Sequence, residues 1–317
     1  MINLHHKKSI LYPFILWIMV LMLFVSSVPA PAAAAVVQTI EQRSGVTVHK
    51  NDKVSIDASN LTEGYVIITY TGGKDVKIKA QVMKKDGSAY TYDIKSKAVA
   101  EVIPLTEGNG TYSIGVFENV SGTKYAQAYS CTLEMKLRDE FLPFLYPNQY
   151  VNFNPGSTDS KVNSRANELA AQAEKDTASG ALSGSVSMNV LKAIYNEVTS
   201  TMTYDTDLAQ SVQPGYLPNV ETVWASKKGI CFDYAAVMSS MLRLKGIPSK
   251  LCIGYAGTVY HAWINVYVDG EWLDHAIVWN GKQWSLLDPT FVSTSKSSSA
   301  VKQFIGEGNS YNQVYMY

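Results

Sequence analysis

Three polar side chains, Cys231, His261 and Asp288, stand in an order and a local setting that suit covalent acyl chemistry. Cys231 lies in Gly229-Ile230-Cys231-Phe232-Asp233-Tyr234-Ala235, where a glycine turn delivers a thiol to the start of an apolar segment. Val237, Met238, Met241 and Leu242 recur at helical spacing, and Gly246-Ile247-Pro248 then stops the helix. At a helix start the unpaired backbone N–H groups and the helix dipole favour an anion, which suits a thiolate nucleophile. His261 opens His261-Ala262-Trp263, and Asp288 sits in Leu287-Asp288-Pro289, both in strand-like sequence. A thiol, an imidazole and a carboxylate in this order predict a nucleophile, a general base and the group that orients the base. The same helix amides offer donors for an oxyanion.

Each residue also has a blander use. Cys231 can be a small buried hydrophobe, His261 a satisfied core or rim histidine, and Asp288 before Pro289 a turn residue. His275 follows Asp274 in a less regular stretch and reads as a surface residue. The chain has three cysteines, and in an exported protein an odd number leaves at least one free thiol unless chains pair. Cys131 alternates with Leu133, Met135 and Leu137, and Cys252 lies in Leu251-Cys252-Ile253. Both are expected to be buried core residues. Cys231, Cys252, His261 and His275 lack the close spacing of zinc motifs, so neither metal nor cofactor is expected.

The elements that must position these residues follow from periodicity. Residues 157–177 read as a helix with Val162, Ala166, Leu169 and Ala173 on one face. A loop at 179–185 leads to a second helix carrying Val190, Leu191, Ile194, Tyr195 and Val198. Residues 212–218 form a loop and 220–225 a short helix before Gly229. After the Cys231 helix the period becomes two. Residues 250–255 make one strand and 261–268 another. In the second, His261, Trp263, Asn265 and Tyr267 face one side, and Ala262, Ile264, Val266 and Val268 the other. Asp269-Gly270 and Asn280-Gly281 are hairpin signals, the latter joining 277–279 to 283–287. Residues 293–300 are Ser-rich and read as a flexible tail. This part is α+β, with helices first and then an antiparallel sheet.

The N-terminal half differs. Residues 46–137 alternate in short strands with turn clusters between them, the pattern of an antiparallel, immunoglobulin-like sandwich. Tyr65, Tyr70, Tyr90 and Tyr92 are expected to pack on its sheet faces. Pro143, Pro147 and Pro155, with aromatics between, mark a stiff connector that packs between domains. At the start of the chain, His5, His6, Lys7 and Lys8 precede an apolar run at 10–25 and an Ala-rich stretch at 29–35. That is the layout of a secretory signal peptide cleaved near Val36, with an uncleaved membrane anchor as the other use. The division expected is therefore a leader at 1–35, a β-sandwich at 36–141, a linker at 142–156 and the α+β domain at 157–317. Lys plus Arg and Asp plus Glu both total 27, and losing Lys7 and Lys8 leaves the mature chain slightly acidic. No basic stripe is present, which argues against a nucleic-acid partner.

Gly229-x-Cys231-x-x-x-Ala235, His261-Ala262-Trp263 and Asp288-Pro289-Thr290, in this order within residues 186–293, resemble the transglutaminase-like superfamily, in particular its exported bacterial branch. The resemblance implies a papain-like fold for the α+β part. The whole is then a multidomain chain, an N-terminal all-β immunoglobulin-like sandwich followed by an α+β papain-like transglutaminase core. It implies Cys231 as nucleophile, His261 as general base and Asp288 as orienter, acting on protein or peptide amides through a thioester. Resolution by an amine would crosslink and resolution by water would hydrolyse. No Asp-x-Asp-x-Asp-Gly calcium loop occurs, so calcium activation is not implied. The expected location is secreted or at the cell surface, with membrane contact only through an uncleaved leader. A non-catalytic cell-surface or cell-wall protein built on the same fold is the alternative reading, because fold alone does not establish chemistry.

Overall fold

The computed structural model describes residues 45–73, 75–94, 98–256, 258–274, 277–279, 284–286 and 311–317. The alternating stretches of the N-terminal half become β1 (Val48–Lys50), β2 (Val54–Asp57), β3 (Tyr65–Tyr70), β4 (Ile78–Lys84), β5 (Ala89–Ile94), β6 (Ala100–Pro104), β7 (Gly110–Ser121) and β8 (Lys124–Met135). They pair antiparallel into two four-stranded sheets, in the orders β1-β2-β3-β6 and β5-β4-β7-β8. Period-two burial follows the pleat: Ile78, Ala80 and Val82 on β4 are buried with Tyr90, Tyr92 and Ile94 on β5. Ile56, Ile68 and Ile103 of one sheet share a core with Ala80, Ile114 and Val116 of the other. The sequence of β3, Tyr65-Val66-Ile67-Ile68-Thr69-Tyr70, does not alternate because both its faces are covered. Its outer face packs Tyr65 and Ile67 against Leu142 and Tyr146 of the connector.

All four tyrosines read as sheet packing are buried. Cys131 departs from expectation: it is half-buried, not core. Its strand β8 is the edge of its sheet, and only Leu133 and Met135 on it reach full burial. Burial is still enough to push the Cys131 thiol up to about 11.

The second half contains α1 (Lys161–Ala178), α2 (Val186–Thr201), β9 (Thr203–Tyr204), α3 (Thr206–Ser211), α4 (Val220–Ser226), β10 (Lys228–Gly229) and α5 (Cys231–Leu244). After these come β11 (Ser249–Ala256), β12 (Val259–Val268), β13 (Glu271–Leu273), β14 (Ile277–Trp279), β15 (Trp284–Leu286) and β16 (Tyr311–Met316). Ser160, Ser185, Asp205 and Asn219 cap α1 to α4, each side chain accepting the backbone N–H three residues on. On α1 the buried face is Val162, Ala166, Ala170 and Ala173, so Ala170 takes the place expected for Leu169, which is half-buried. Helix α2 buries Val190, Leu191, Ile194, Tyr195 and Val198 as its periodicity predicts.

Helix α5 is buried from Asp233 to Leu244, as befits a helix at the centre of a module. It contacts α1, α2 and α4 as well as β11 and β12. The sheet has the order β13-β12-β11-β16, antiparallel throughout. Strand β12 is buried on both faces, since His261, Trp263 and Asn265 are covered as well as Ala262, Ile264, Val266 and Val268. Asp269 and Gly270 take positive φ of 54° and 93° and turn β12 into β13, the hairpin their sequence predicts. The second predicted hairpin is β14 paired with β15, Trp279 opposite Trp284. Its turn and the Ser-rich stretch lie outside the described residues.

Strand β16 lies beside β11 with a register shift at Ile253/Gly254. A Cβ on Gly254 would overlap the backbone oxygen of Asn312. Glycine is thus required by close backbone approach at an irregular pair. Gly254→Ala is expected to lift β16 from β11 and to destabilise by about 1–3 kcal/mol, the range for overpacking. Urea unfolding checks this, and an unchanged midpoint would refute it.

Candidate active site

The position of Cys231 is set by the turn before it. Ile230 caps α5 with extended backbone, φ −96° and ψ 179°. Its N–H donates to Asp233 Oδ2 at 2.8 Å, one half of a capping box. The first helical bond runs from Tyr234 N–H to Ile230 O at 3.1 Å. The amides of Cys231, Phe232 and Asp233 therefore have no acceptor within the helix, and Cys231 begins it. Asp233 is fully buried, and its Oδ1 accepts from the Tyr216 hydroxyl at 2.7 Å. Burial pushes its carboxyl up from the usual carboxylate range, while the Ile230 amide and the Tyr216 hydroxyl oppose that shift. Gly229 is needed because a Cβ there would run into the Asp233 side chain. Behind the turn, β10 pairs parallel with β9, and Asp205 N–H donates to Gly229 O at 2.9 Å.

Asp233→Ala would leave the Ile230 N–H and the Tyr216 hydroxyl without their acceptor. It is expected to cost about 2 kcal/mol. Asp233→Asn, whose amide oxygen can still accept, should recover much of that. Urea unfolding of both variants is the measurement, and equal loss in the two would show that the carboxamide oxygen cannot replace the carboxylate in the turn.

His261 stands on β12 opposite Gly254 of β11, buried, with its ring centroid 6.5 Å from that of Tyr311. Cys231 and His261 line one cavity of about 610 Å³. Much of its wall is aromatic: Phe232, Tyr150, Tyr216, Tyr260, Tyr315 and Tyr317. Tyr150 and Tyr317 stack at 3.6 Å and 7°, and Phe232 leans on Tyr150 and Tyr216. Asp93 of β5 and Gln149 of the connector complete one side, so both halves of the chain build the cavity. Tyr260 is 60% exposed at its edge. Desolvation first, then Tyr315, Tyr255 and Cys231, push its hydroxyl up.

Of the three residues predicted from sequence, Cys231 and His261 both line this cavity, and Asp288 lies outside the described residues, as does His275. Cys252 is fully buried, as its pattern predicts, with its Sγ 3.1 Å from Gln313 Oε1, and burial pushes that thiol well up. Two contributors escaped the sequence reading. Asp233 carries a signal, an acidic residue three positions after a helix cap. Tyr216 sits in a loop with no pattern of its own, and only the fold aims it at Asp233.

Residues 173–289 match the family described as the Transglutaminase-like superfamily. No curated protein sequence matches the chain. Among solved structures, a candidate cysteine protease from Cytophaga hutchinsonii aligns with 14% identity and a TM-score of 0.36, covering 86% of this chain and 74% of the other. Red sea bream transglutaminase aligns with 14% identity and a TM-score of 0.29, covering 73% of this chain and 49% of its own. The chain thus spans about half the length of that enzyme. A structure described as a TGase aligns with 20% identity and a TM-score of 0.30, covering 46% of this chain and 37% of its own. The family match spans both Cys231 and His261, and its described residues make a transglutaminase-like core of mixed α and β content.

Proposed function

We propose that the chain is an exported cysteine-dependent acyltransferase or amidase acting on peptide or protein amides. Cys231 is the nucleophile, His261 the general base and Asp288 the carboxylate that orients the imidazole. The imidazole takes the thiol proton, and the thiolate attacks the amide carbonyl. Amides at the start of α5 face the developing oxyanion. The C–N bond breaks, the imidazolium gives its proton to the leaving nitrogen, and a thioester remains on Cys231. An amine or water, deprotonated by the same imidazole, attacks the thioester, and the thiol is restored as the product leaves. The observation that carries this reading is that a helix-start cysteine and a strand histidine line one cavity. The transglutaminase-like core supports it, since that fold is typically a cysteine-dependent enzyme.

The test is incubation with a glutamine-bearing protein and a labelled primary amine, measuring incorporation and ammonia together. Incorporation means crosslinking, and ammonia without incorporation means hydrolysis. Neither product, together with slow alkylation of Cys231 near neutral pH, would favour the non-catalytic surface protein.

Export and the N-terminal half belong to the same proposal. The leader at 1–35 is cleaved, the mature chain begins near Val36, and the product acts outside the cell or at its surface. N-terminal sequencing of exported protein checks this, and an intact Met1 would mean an anchor. The strand-rich half is an immunoglobulin-like sandwich at 36–141, joined by a linker at 142–156 to the catalytic domain at 157–317. Its two four-stranded antiparallel sheets and their shared core support that assignment.

A further inference from the structure

A second cavity of about 700 Å³ shares Asp93, Gln149 and Leu217 with the cavity of Cys231 and His261. Its wall includes two buried polar side chains, Glu101 of β6 and Asn148 of the connector. Gln149 Nε2 donates to Glu101 Oε2 at 2.9 Å and to Asp93 O at 2.5 Å. Asn148 Oδ1 accepts from the backbone N–H groups of Tyr150 and Val151 at 2.9 and 3.1 Å, which fixes how the amide is turned. Its Nδ2 is left as a buried donor with no hydrogen-bond partner, an unfavourable arrangement that a peptide carbonyl would relieve. Pro147, Phe153, Leu217 and Pro218 give the wall apolar stretches, with Asn152, Asn154 and Asn219 between them. Among the described residues, neither cavity is lined by Lys or Arg. The half-exposed carboxylate of Asp93 pairs at 2.5 Å with Lys79, which lies outside both linings.

We propose that the second cavity is a specificity subsite that takes a basic side chain of the substrate peptide, several residues from the attacked carbonyl. This rests on the acyl-transfer reading above. The cleft offers what such a segment needs: carboxylates for an ammonium or guanidinium, a free amide donor for a peptide carbonyl, and apolar walls for the methylene stem. Carboxylates in a cleft with low-dielectric walls also concentrate cations at its mouth. The interaction is binding only, and no bond changes in it.

The experiment compares three otherwise identical glutamine peptides that carry lysine, acetyl-lysine or norleucine at one flanking position, scanned along the peptide. Binding is measured by calorimetry on Cys231→Ala protein, and turnover on the unaltered chain. At one position the lysine peptide should bind about tenfold tighter than either neutral peptide, and the advantage should shrink with salt. Glu101→Gln should remove the advantage without weakening the neutral peptides. Because Glu101 is buried, Asp93→Asn on the sheet surface serves as the second variant and should reduce the advantage partway. Equal binding of all three peptides at every position, with turnover intact, overturns the subsite and leaves the enzyme reading standing. A lysine preference without turnover supports the subsite and counts against the enzyme. If 1,5-diaminopentane binds as tightly as the lysine peptide, the site takes free amines and the peptide subsite is wrong.

Discussion

Cys231→Ala is expected to abolish turnover, by on the order of 10⁴-fold or more, because without the thiol there is no covalent route. His261→Ala should fall close behind, since the same imidazole moves the proton in both half-reactions. Asp288→Ala should be milder, because an imidazole without its orienter still samples the productive pose. Residues that act as one unit lose activity non-additively, so Cys231→Ala combined with Asp288→Ala should be no worse than Cys231→Ala alone. Cys131→Ser and Cys252→Ser should keep turnover as long as the protein is folded, although a hydroxyl in place of the buried Cys252 thiol will cost stability. Steady-state rates and thermal melting on the same samples separate the two effects. If folded Cys252→Ser is inactive while Cys231→Ala works, the nucleophile has been misassigned.

Arg243→Met is expected to be the most destabilising single change outside the cavity. Arg243 is fully buried on α5, and its guanidinium donates to backbone oxygens. Nη1 donates to Tyr146 O at 2.6 Å, Nη2 to Tyr317 O at 2.7 Å, and Nε and Nη2 to Ser249 O at 3.2 and 2.7 Å. One guanidinium thus ties the connector, the start of β11 and the residue after β16 to the central helix. Burial pushes its ionisation down from the usual range, and the carbonyl dipoles offset the cost of keeping the charge in the interior. Methionine fills similar volume but takes the guanidinium from Tyr146 O and Ser249 O, while Tyr317 O keeps the Leu251 N–H, at about 3 kcal/mol or more in total. For a chain of this size the melting temperature should fall by roughly 6–12 °C. Arg243→Lys should be intermediate, because an ammonium keeps the charge but cannot span three oxygens in a plane. Tyr317 also lines the cavity, so activity should fall with stability in both variants. A melting temperature for Arg243→Met within a degree or two of the unaltered chain would show that the carbonyls find other donors.

Local pattern was enough for much of the chain. Side-chain period fixed the helix that begins at Cys231, the buried stripe of α2, the strand carrying His261 and the hairpin at Asp269-Gly270, because each depends on neighbours a few residues apart. The distinct setting of Cys231 among the three cysteines is local for the same reason: only Cys231 follows a glycine turn at a helix start. The period misled where tertiary context overrode it. Cys131 alternates like a core residue but lies on an edge strand, and Ala170 displaces Leu169 on α1 because the facing elements select the buried stripe. Non-alternating β3 is covered on its second face by a connector more than seventy residues away in sequence, as the hydrogen bond from Tyr146 to Glu63, with a separation of 83, illustrates.

The chemistry on offer and the local element beneath each described member are therefore legible in the residues alone: a thiol on a helix start and an imidazole on a strand. The folded chain, not its local pattern, puts Cys231 and His261 in the lining of one cavity and closes the Asp233 turn with Tyr216. It also brings Tyr315 of β16, and Tyr317 just beyond that strand, to the same wall. Those relations join residues far apart in the chain, and their free energy comes from contacts that exist only once the loops between them have closed.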